Sequence, residues 1–583
     1  MPAIIRSLRD NTNTLTKPRD VTACRLRNRL LPALQLCSDL LEYLFLLGAN
    51  LEADEYHRRR TVLAYSQVCH DWRTAALATK SLWVQLMDFD DMSWKWNEEM
   101  LRRSHPLPVT IGSCTFPPRE MNKVSSELGY LERIRTYRLG FADETWEVLE
   151  GKLREPAASL EYLSLAYVPL HPSKTHRPWY SFPLNLFDNC APQFRRLKLE
   201  GCIVDFNASV LRSLTSLSVL NLDANHKLAP SAFEWIALVS TLPFLTDLFI
   251  KDAIYSASSL SEPRVHFSKM PPSKVRLHRL ASLHLEGNIG AVATFLKYVI
   301  LPASCSLSVA CSEAQPGAEM EGVLSSFVDV LERTIRRRQD TENLTFPLLL
   351  YARASSIYIS TDERHKDHPR PSSPLSSLNF DLEFHAHLSS SWEPFLTPIL
   401  SAFSAPAFLS NTNNDVGPVS ANNGLVSYIT SLEILLPSCH SALAPFLRKA
   451  TRLEALINLP VTLAKNLLPD LRLIPPHRSH SPPPTGTHMT FNPPSSSILA
   501  PVPYPEVPLP LLHTISFNDD KSTWGVPYGT LLSYLRWRSE DADAPLSRVI
   551  FRRCVLLEEK ALELQAVGVE VQCDNEGTRW QNL

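Results

Sequence analysis

The sequence predicts an α/β chain: a small N-terminal all-α module, followed by an irregular repeat array that builds a curved parallel sheet with helices on its outer side. Three observations predict this. Short amphipathic helical patterns crowd between Leu36 and Trp83, a Leu-x-x-Leu-x-Leu frame recurs over the rest of the chain, and Pro (46) far outnumbers Gly (17), so rigid breaks punctuate it. At 583 residues, core size does not limit folding.

Met1 to Arg29 mixes Arg6, Arg9, Asp10, Lys17, Arg19 and Asp20 with Asn and Thr and lacks the apolar segment of a signal peptide. It reads as a disordered arm, 1–29. The helical module occupies 30–90. Leu36, Leu40, Leu41, Leu44 and Phe45 fall on one face at helical spacing, with Asp39 and Glu42 spaced like a helix start. A second pattern runs from Thr61 to Arg73, and a third from Thr74 to Thr79 with Ser81-Leu82-Trp83. Helices below about 12–15 residues are marginal alone, so these must bury their faces against each other and a partner.

Residues 91–130 form a connecting segment and first strand, in which Leu107, Val109 and Ile111 alternate. The pair Trp94 and Trp96 reads as packing between the module and the next domain, because no basic groove is interleaved with it. From 131 to 583 the repeat frame appears at Ile134, Leu160, Phe194, Leu217, Leu245, Leu280, Ile429, Leu512 and Leu546, with Cys202, Asn225, Asn288 and Cys554 closing four instances. Spacing is uneven, and only some intervals fit the usual ~20–29 residues. Longer intervals leave room for outer helices, and Ser231 to Leu242 has suitable spacing. Each repeat adds one parallel strand. Its in-facing leucines contribute roughly 1.5–3 kcal/mol each when buried. The polar or proline-rich stretches 361–377, 411–423 and 475–510 read as disordered insertions, the last with polyproline II character.

The module resembles an F-box. The resemblance is carried by Leu36 with Leu40-Leu41-Glu42-x-Leu44-Phe45, Ser66-Gln67-Val68-Cys69-x-x-Trp72-Arg73, Ala76-Leu77-Ala78-Thr79 and Leu82-Trp83. Cys37 stands where the family has proline, and Gly48 to Arg60 is insertion-like and ends in Arg58-Arg59-Arg60. The array, with its closing Asn or Cys, resembles the leucine-rich-repeat family. These resemblances imply a substrate-recognition adaptor of a Skp/cullin/F-box ubiquitin ligase. Its partners would be a Skp-type adaptor protein, cullin through that adaptor, and a protein substrate. The implied adaptor-binding residues are Leu36, Leu40, Leu41, Leu44, Phe45, Val68, Cys69 and Trp72, some of which must instead hold the helices together. For substrate capture, the residues between the in-facing leucines are the candidates: Tyr162, Ser164, Arg196, Lys198, Val219, Asn221, Asp247, Phe249, Ser282 and His284.

No Gly-x-x-x-x-Gly-Lys-[Ser/Thr], Gly-x-Gly-x-x-Gly, Gly-x-Ser-x-Gly or His-Glu-x-x-His motif occurs, so no catalytic residue, metal site or cofactor is expected. His477 and His480 fall in the proline-rich stretch, where a metal site would lack support. The odd count of 11 cysteines without a Cys-x-x-Cys pair reads as scattered buried thiols. A net charge of -2 gives no pull toward nucleic acid or anionic membrane, and Arg336-Arg337-Arg338 reads as the cationic end of a helix. No run approaches the ~18 apolar residues of a membrane helix. The expected location is intracellular, cytoplasmic or nuclear. Two alternatives stand beside the adaptor: a leucine-rich-repeat interaction scaffold that does not assemble into a ligase, and an enzyme whose site is assembled from distant positions.

Overall fold

A computed structural model describes residues 32, 35–115, 131–168, 181–220, 230–254, 274–312, 317–339, 346–360, 380–385, 393–404, 425–435, 440–472, 509–518, 528–540, 544–573 and 579–581, apart from 53, 85, 88–91, 183, 206, 303, 353–355 and 553. The expected arm 1–29, the insertions 361–377 and 411–423, and 475–508 of the third insertion lie outside the described residues. The expected end of that third insertion, at 510, is too late, because Leu509 is buried and accepts from Arg538 Nη1 at 3.1 Å. The chain is a mixed α/β protein of helices and parallel strands. It divides into two compact units, Met1–Val219 and Leu220–Leu583. The division thus falls inside the expected array, and the helical module shares a unit with the first strands.

In the first unit, helices α1 (Ser38–Leu51), α2 (Glu55–Val68), α3 (His70–Ala78), α4 (Lys80–Trp83) and α5 (Trp94–Ser104) precede strand β1 (Val109–Thr115). Helix α1 begins with Cys37 as its N-cap, without a side-chain capping bond, so Asp39 and Glu42 do not form the expected start signal. Glu42 instead accepts from Ser81 Oγ at 3.4 Å. The insertion-like segment Gly48 to Arg60 is not an insertion loop: Gly48–Leu51 complete α1, and Glu55–Arg60 open α2. Asp54 caps α2 by accepting from Tyr56 N at 3.1 Å. Within the run Arg58-Arg59-Arg60 the first two side chains turn to the module itself, and Arg60 is exposed. Arg58 donates Nε to Ala49 O (3.2 Å) and Nη2 to Glu52 O (2.9 Å), satisfying carbonyls at the end of α1, and Arg59 is buried.

Phe45, Tyr65 and Trp72 form the knot of the module: Phe45 stacks on Tyr65 at 4.5 Å and meets Trp72 edge-on at 5.1 Å. Gly48 permits this knot, since a Cβ there would lie 2.0 Å from Tyr65 Oη and 3.3 Å from Cζ. Helices α4 and α5 are joined by Trp83, whose Nε1 donates to Ala76 O and whose ring lies 4.4 Å from the Arg103 guanidinium. Arg103 and Arg102 both donate to Glu99, and these bonds hold its carboxyl down at about 2. Trp96 Nε1 donates to Leu86 O. Arg133 then ties α5 to the sheet, with Nη1 on Leu101 O and Nη2 on Leu107 O and Ser104 Oγ.

The first strand starts later than its alternation suggests, at Val109 rather than Leu107, and an isolated parallel bridge joins Ile111 to Met87. β2 (Ile134–Phe141), β3 (Tyr162–Tyr167), β4 (Arg196–Glu200) and β5 (Ser216–Leu220) come next in spatial order, and β1 through β4 pair in parallel. Tyr137, Leu139, Leu163, Leu165, Leu197, Leu199 and Leu217 are all buried, as period-two side-chain alternation requires of one face. Cys202 closes its repeat by directing Sγ–H at Leu165 O on the strand before it.

In the second unit, Ser231 caps helix α6 (Ala232–Ser240) in a reciprocal capping box with Glu234. The strands of its long sheet are β6 (Asp247–Lys251), β7 (Ser282–Asn288), β8 (Ser306–Ser312), β9 (Phe346–Ala352), β10 (Ser356–Ser360), β11 (Phe380–His385), β12 (Ile429–Leu435), β13 (Ala455–Pro460), β14 (Thr514–Asn518), β15 (Arg548–Arg552) and β16 (Glu570–Cys573), beside short two-stranded pairs. Asn288 ends its strand and also caps the next helix, accepting from Gly290 N at 3.0 Å. The spatial order is not sequential: β11, β10 and β9 lie between β8 and β12, and β10 runs antiparallel to both its neighbours. For β9 and β10 the antiparallel sense follows from the connection, because only 353–355 separate them, and so short a link cannot make the crossover that a parallel pair needs.

The module's packing is testable at two points. Gly48→Ala is expected to destabilise the unit by ~1–3 kcal/mol through overpacking, and Gly48→Ala combined with Tyr65→Phe to recover most of it, read from urea denaturation of the full chain. Glu99 has a depressed carboxyl, so its clasp contributes above the ordinary value of 4.5 and is lost as pH falls toward about 2. Glu99→Gln should therefore flatten the acid limb of the melting temperature between those pH values.

Candidate functional site

Helix α1 is apolar on two faces. Leu41, Phe45 and Ala49 turn inward, whereas Leu40 (51 % exposed), Tyr43, Leu44 (44 % exposed), Leu47 and Leu51 turn outward. At 100° per residue, Leu40, Leu44, Leu47 and Leu51 fall within roughly 60° of one another, a continuous ridge. Val68 at the end of α2 and Leu77 on α3 are also exposed. Isolated exposed leucines need no explanation, but a helical ridge of them does.

The eight candidates of the module separate accordingly. Leu40, Leu44 and Val68 are exposed, and Leu36 is half-buried. Leu41 and Phe45 (1 % exposed) belong to the module's interior, so they support the ridge rather than form it. Trp72 packs on Phe45 and Tyr65, and its indole Nε1 is enclosed without an acceptor among the described residues. Cys69 is the N-cap of α3, where its Sγ accepts from Trp72 N at 3.5 Å, which gives it a local structural role. Tyr43, Leu47 and Leu51 join the ridge although the motif passes over them. Their signal was periodicity: they lie three, seven and eleven residues beyond Leu40.

The strand candidates form two strips, one in each unit. In the first, register aligns Thr136, Tyr162 and Arg196 in one row and Arg138, Ser164 and Lys198 in the next. Val219 does not belong to the strip: it is buried, because the frame of β5 is Leu214-x-x-Leu217-x-Val219 and turns Ser218 outward instead. Asn221 lies outside the described residues. In the second unit, Asp247 aligns with Ser282, and Phe249 with His284. Phe249 and His284 stack at 4.1 Å, His284 Nδ1 lies 3.0 Å from Ser308 Oγ, and Lys251 bridges to Glu286 at 2.9 Å, which raises the ammonium's affinity for its proton.

Chemistry elsewhere is quiet. Among the described residues no group of three or more His, Cys, Asp or Glu is placed to hold a metal ion. No described helix is long and apolar enough to cross a membrane. Burial raises the thiol of Cys202 and pushes Cys305 and Cys311 up to about 12, so these thiols stay protonated and weakly nucleophilic. Cys37 and Cys190 are exposed, so scattered burial holds for only part of the set. No protein-family model matches the chain, and no curated protein matches it.

The inward and outward leucines should respond differently. Phe45→Ala is expected to cost ~3–5 kcal/mol by cavity formation, and Leu44→Ala no more than ~0.5 kcal/mol, both read from chemical denaturation.

Proposed function

We propose that this chain is the substrate-recognition adaptor of a Skp/cullin/F-box ubiquitin ligase. Helices α1 to α3 act as an F-box docking on a Skp-type adaptor protein, and the strand array acts as a leucine-rich-repeat solenoid that captures a protein substrate. The observation that carries the reading is the outward ridge of α1. A helix already buried along Leu41, Phe45 and Ala49 still presents Leu40, Leu44, Leu47 and Leu51 to solvent. A second apolar face on a helix that has found its intramolecular partner calls for an intermolecular one.

The module and the strips then have complementary roles. The ridge supplies nonpolar area to the adaptor interface, while the mixed polar and aromatic strips suit a protein surface. Ubiquitin transfer would take place on partner proteins, and this chain contributes proximity: bringing substrate and activated ubiquitin together converts an encounter between separate molecules into a near-unimolecular step.

A pull-down of the full chain with a recombinant Skp-type adaptor tests it. The wild type should be retained, and Leu40→Asp with Leu44→Asp should weaken retention at least ~100-fold, since two charges would enter an apolar interface. Both positions are exposed, so the thermal midpoint should hold. Failure of the wild type to bind, or undiminished binding by the double variant, leaves the repeat array as an interaction scaffold outside any ligase.

A further inference from the structure

We propose that the exposed face of the first unit's sheet, centred on Arg138, Tyr162, Arg196 and Lys198, binds an extended, carboxylate-rich segment of a partner protein. That this segment belongs to a ligase substrate rests on the adaptor reading above; the binding itself stems from the face.

Charge is distributed unevenly across it. Glu161 lies at one end, bridged to Arg135 at 2.9 Å, and Glu200 at the other, 3.9 Å from Lys198 Nζ. The two rows between carry Thr136, Tyr162 and Arg196, then Arg138, Ser164 and Lys198. These rows hold three cations with hydroxyls and no carboxylate.

The guanidiniums are held in place. Arg196 from β4 lies 5.0 Å from the centre of the Tyr162 ring, and Arg138 from β2 lies 5.7 Å from it. Ring and cation attract, and the ring restricts rotamers that a free arginine would explore. Less ordering entropy is then lost when the planar fork meets a carboxylate. The same contacts argue against nucleic acid. A Tyr162 ring attended by a guanidinium from the strand on either side offers no open platform for a base.

Spacing identifies the form of the ligand. Arg196 and Lys198 stand two residues apart on one strand, about 6.6 Å along it, and an extended peptide presents alternate side chains at the same interval. A Glu-x-Glu segment lying along β4 can therefore engage Arg196 and Lys198 together, with Ser164, in register with Lys198 on the adjoining strand, beside them to donate a hydroxyl hydrogen bond.

Fluorescence anisotropy of the full chain with a fluorescein-labelled dodecapeptide alternating Ser and Glu tests this. The expected result is saturable binding that weakens ~10-fold or more when Gln replaces Glu and when Arg196→Gln is combined with Lys198→Gln. Tyr162→Leu, which keeps the charge but removes the ring, should weaken it several-fold. Equal binding of the Gln peptide, preference for a labelled single-stranded RNA dodecamer, or undiminished binding by the Arg196/Lys198 variant at an unchanged thermal midpoint would overturn the proposal. The adaptor reading is separated by a crossed comparison: Leu40→Asp with Leu44→Asp should spare peptide binding, and Arg196→Gln with Lys198→Gln should spare adaptor capture. Loss of peptide binding in the first pair overturns the independence of this face, and an adaptor failure with peptide binding intact overturns the adaptor reading alone.

Discussion

Every described strand is too short to bury its own apolar side chains, and that constraint governs the rest. Leu163 and Leu165 on β3 reach near-complete burial because Tyr137 and Leu139 on β2 and Leu197 and Leu199 on β4 stand in register beside them. Remove one strand and two neighbours each lose a wall. The same alternation that places leucines inside places Tyr162, Ser164, Arg196 and Lys198 outside, so an outward face of polar and aromatic side chains arises as the necessary complement of the core.

The helical module solves the same problem differently. Its helices are too short for a shared coiled-coil seam, and three aromatic rings close the interior instead, with Gly48 letting Tyr65 reach the backbone of α1. The rings occupy the inner side of α1, and the leucines on its other side remain about half exposed or more. Arg133 then anchors this module to the strands through three acceptors on and beyond α5, which explains why it shares a compact unit with them.

Much of the fold was legible because the repeat frame marks a strand wherever all three of its apolar positions survive. Where one is missing, the strand is hidden. In β8 the exposed Ser304 stands in the first position and Cys305 takes over the burial. In β13 the frame Leu453-x-x-Leu456 ends on a polar residue and a register shift: Asn458, buried in the third position, adopts a left-handed φ of 54°, and Leu459 after it is buried as well. β9, β10 and β11 carry plain alternation without the frame, which shows a strand but not its neighbour. The error at Val219 has the same origin, since Leu214, Leu217, Leu220 and Leu222 allow two frames three residues apart and only packing selects one.

By itself, the sequence determined the helical start, the alternation of the strands, their predominantly parallel sense and the lack of common catalytic motifs, because these rest on local periodicity and on residue identity. Tertiary structure alone decided which leucines of α1 face inward, that Cys69 caps a helix, that Arg58 closes one, and that β10 runs against its neighbours. Each of these depends on what lies across a contact. Periodicity states which side chains share a face, but only the partner packed against that face states whether it is core or surface.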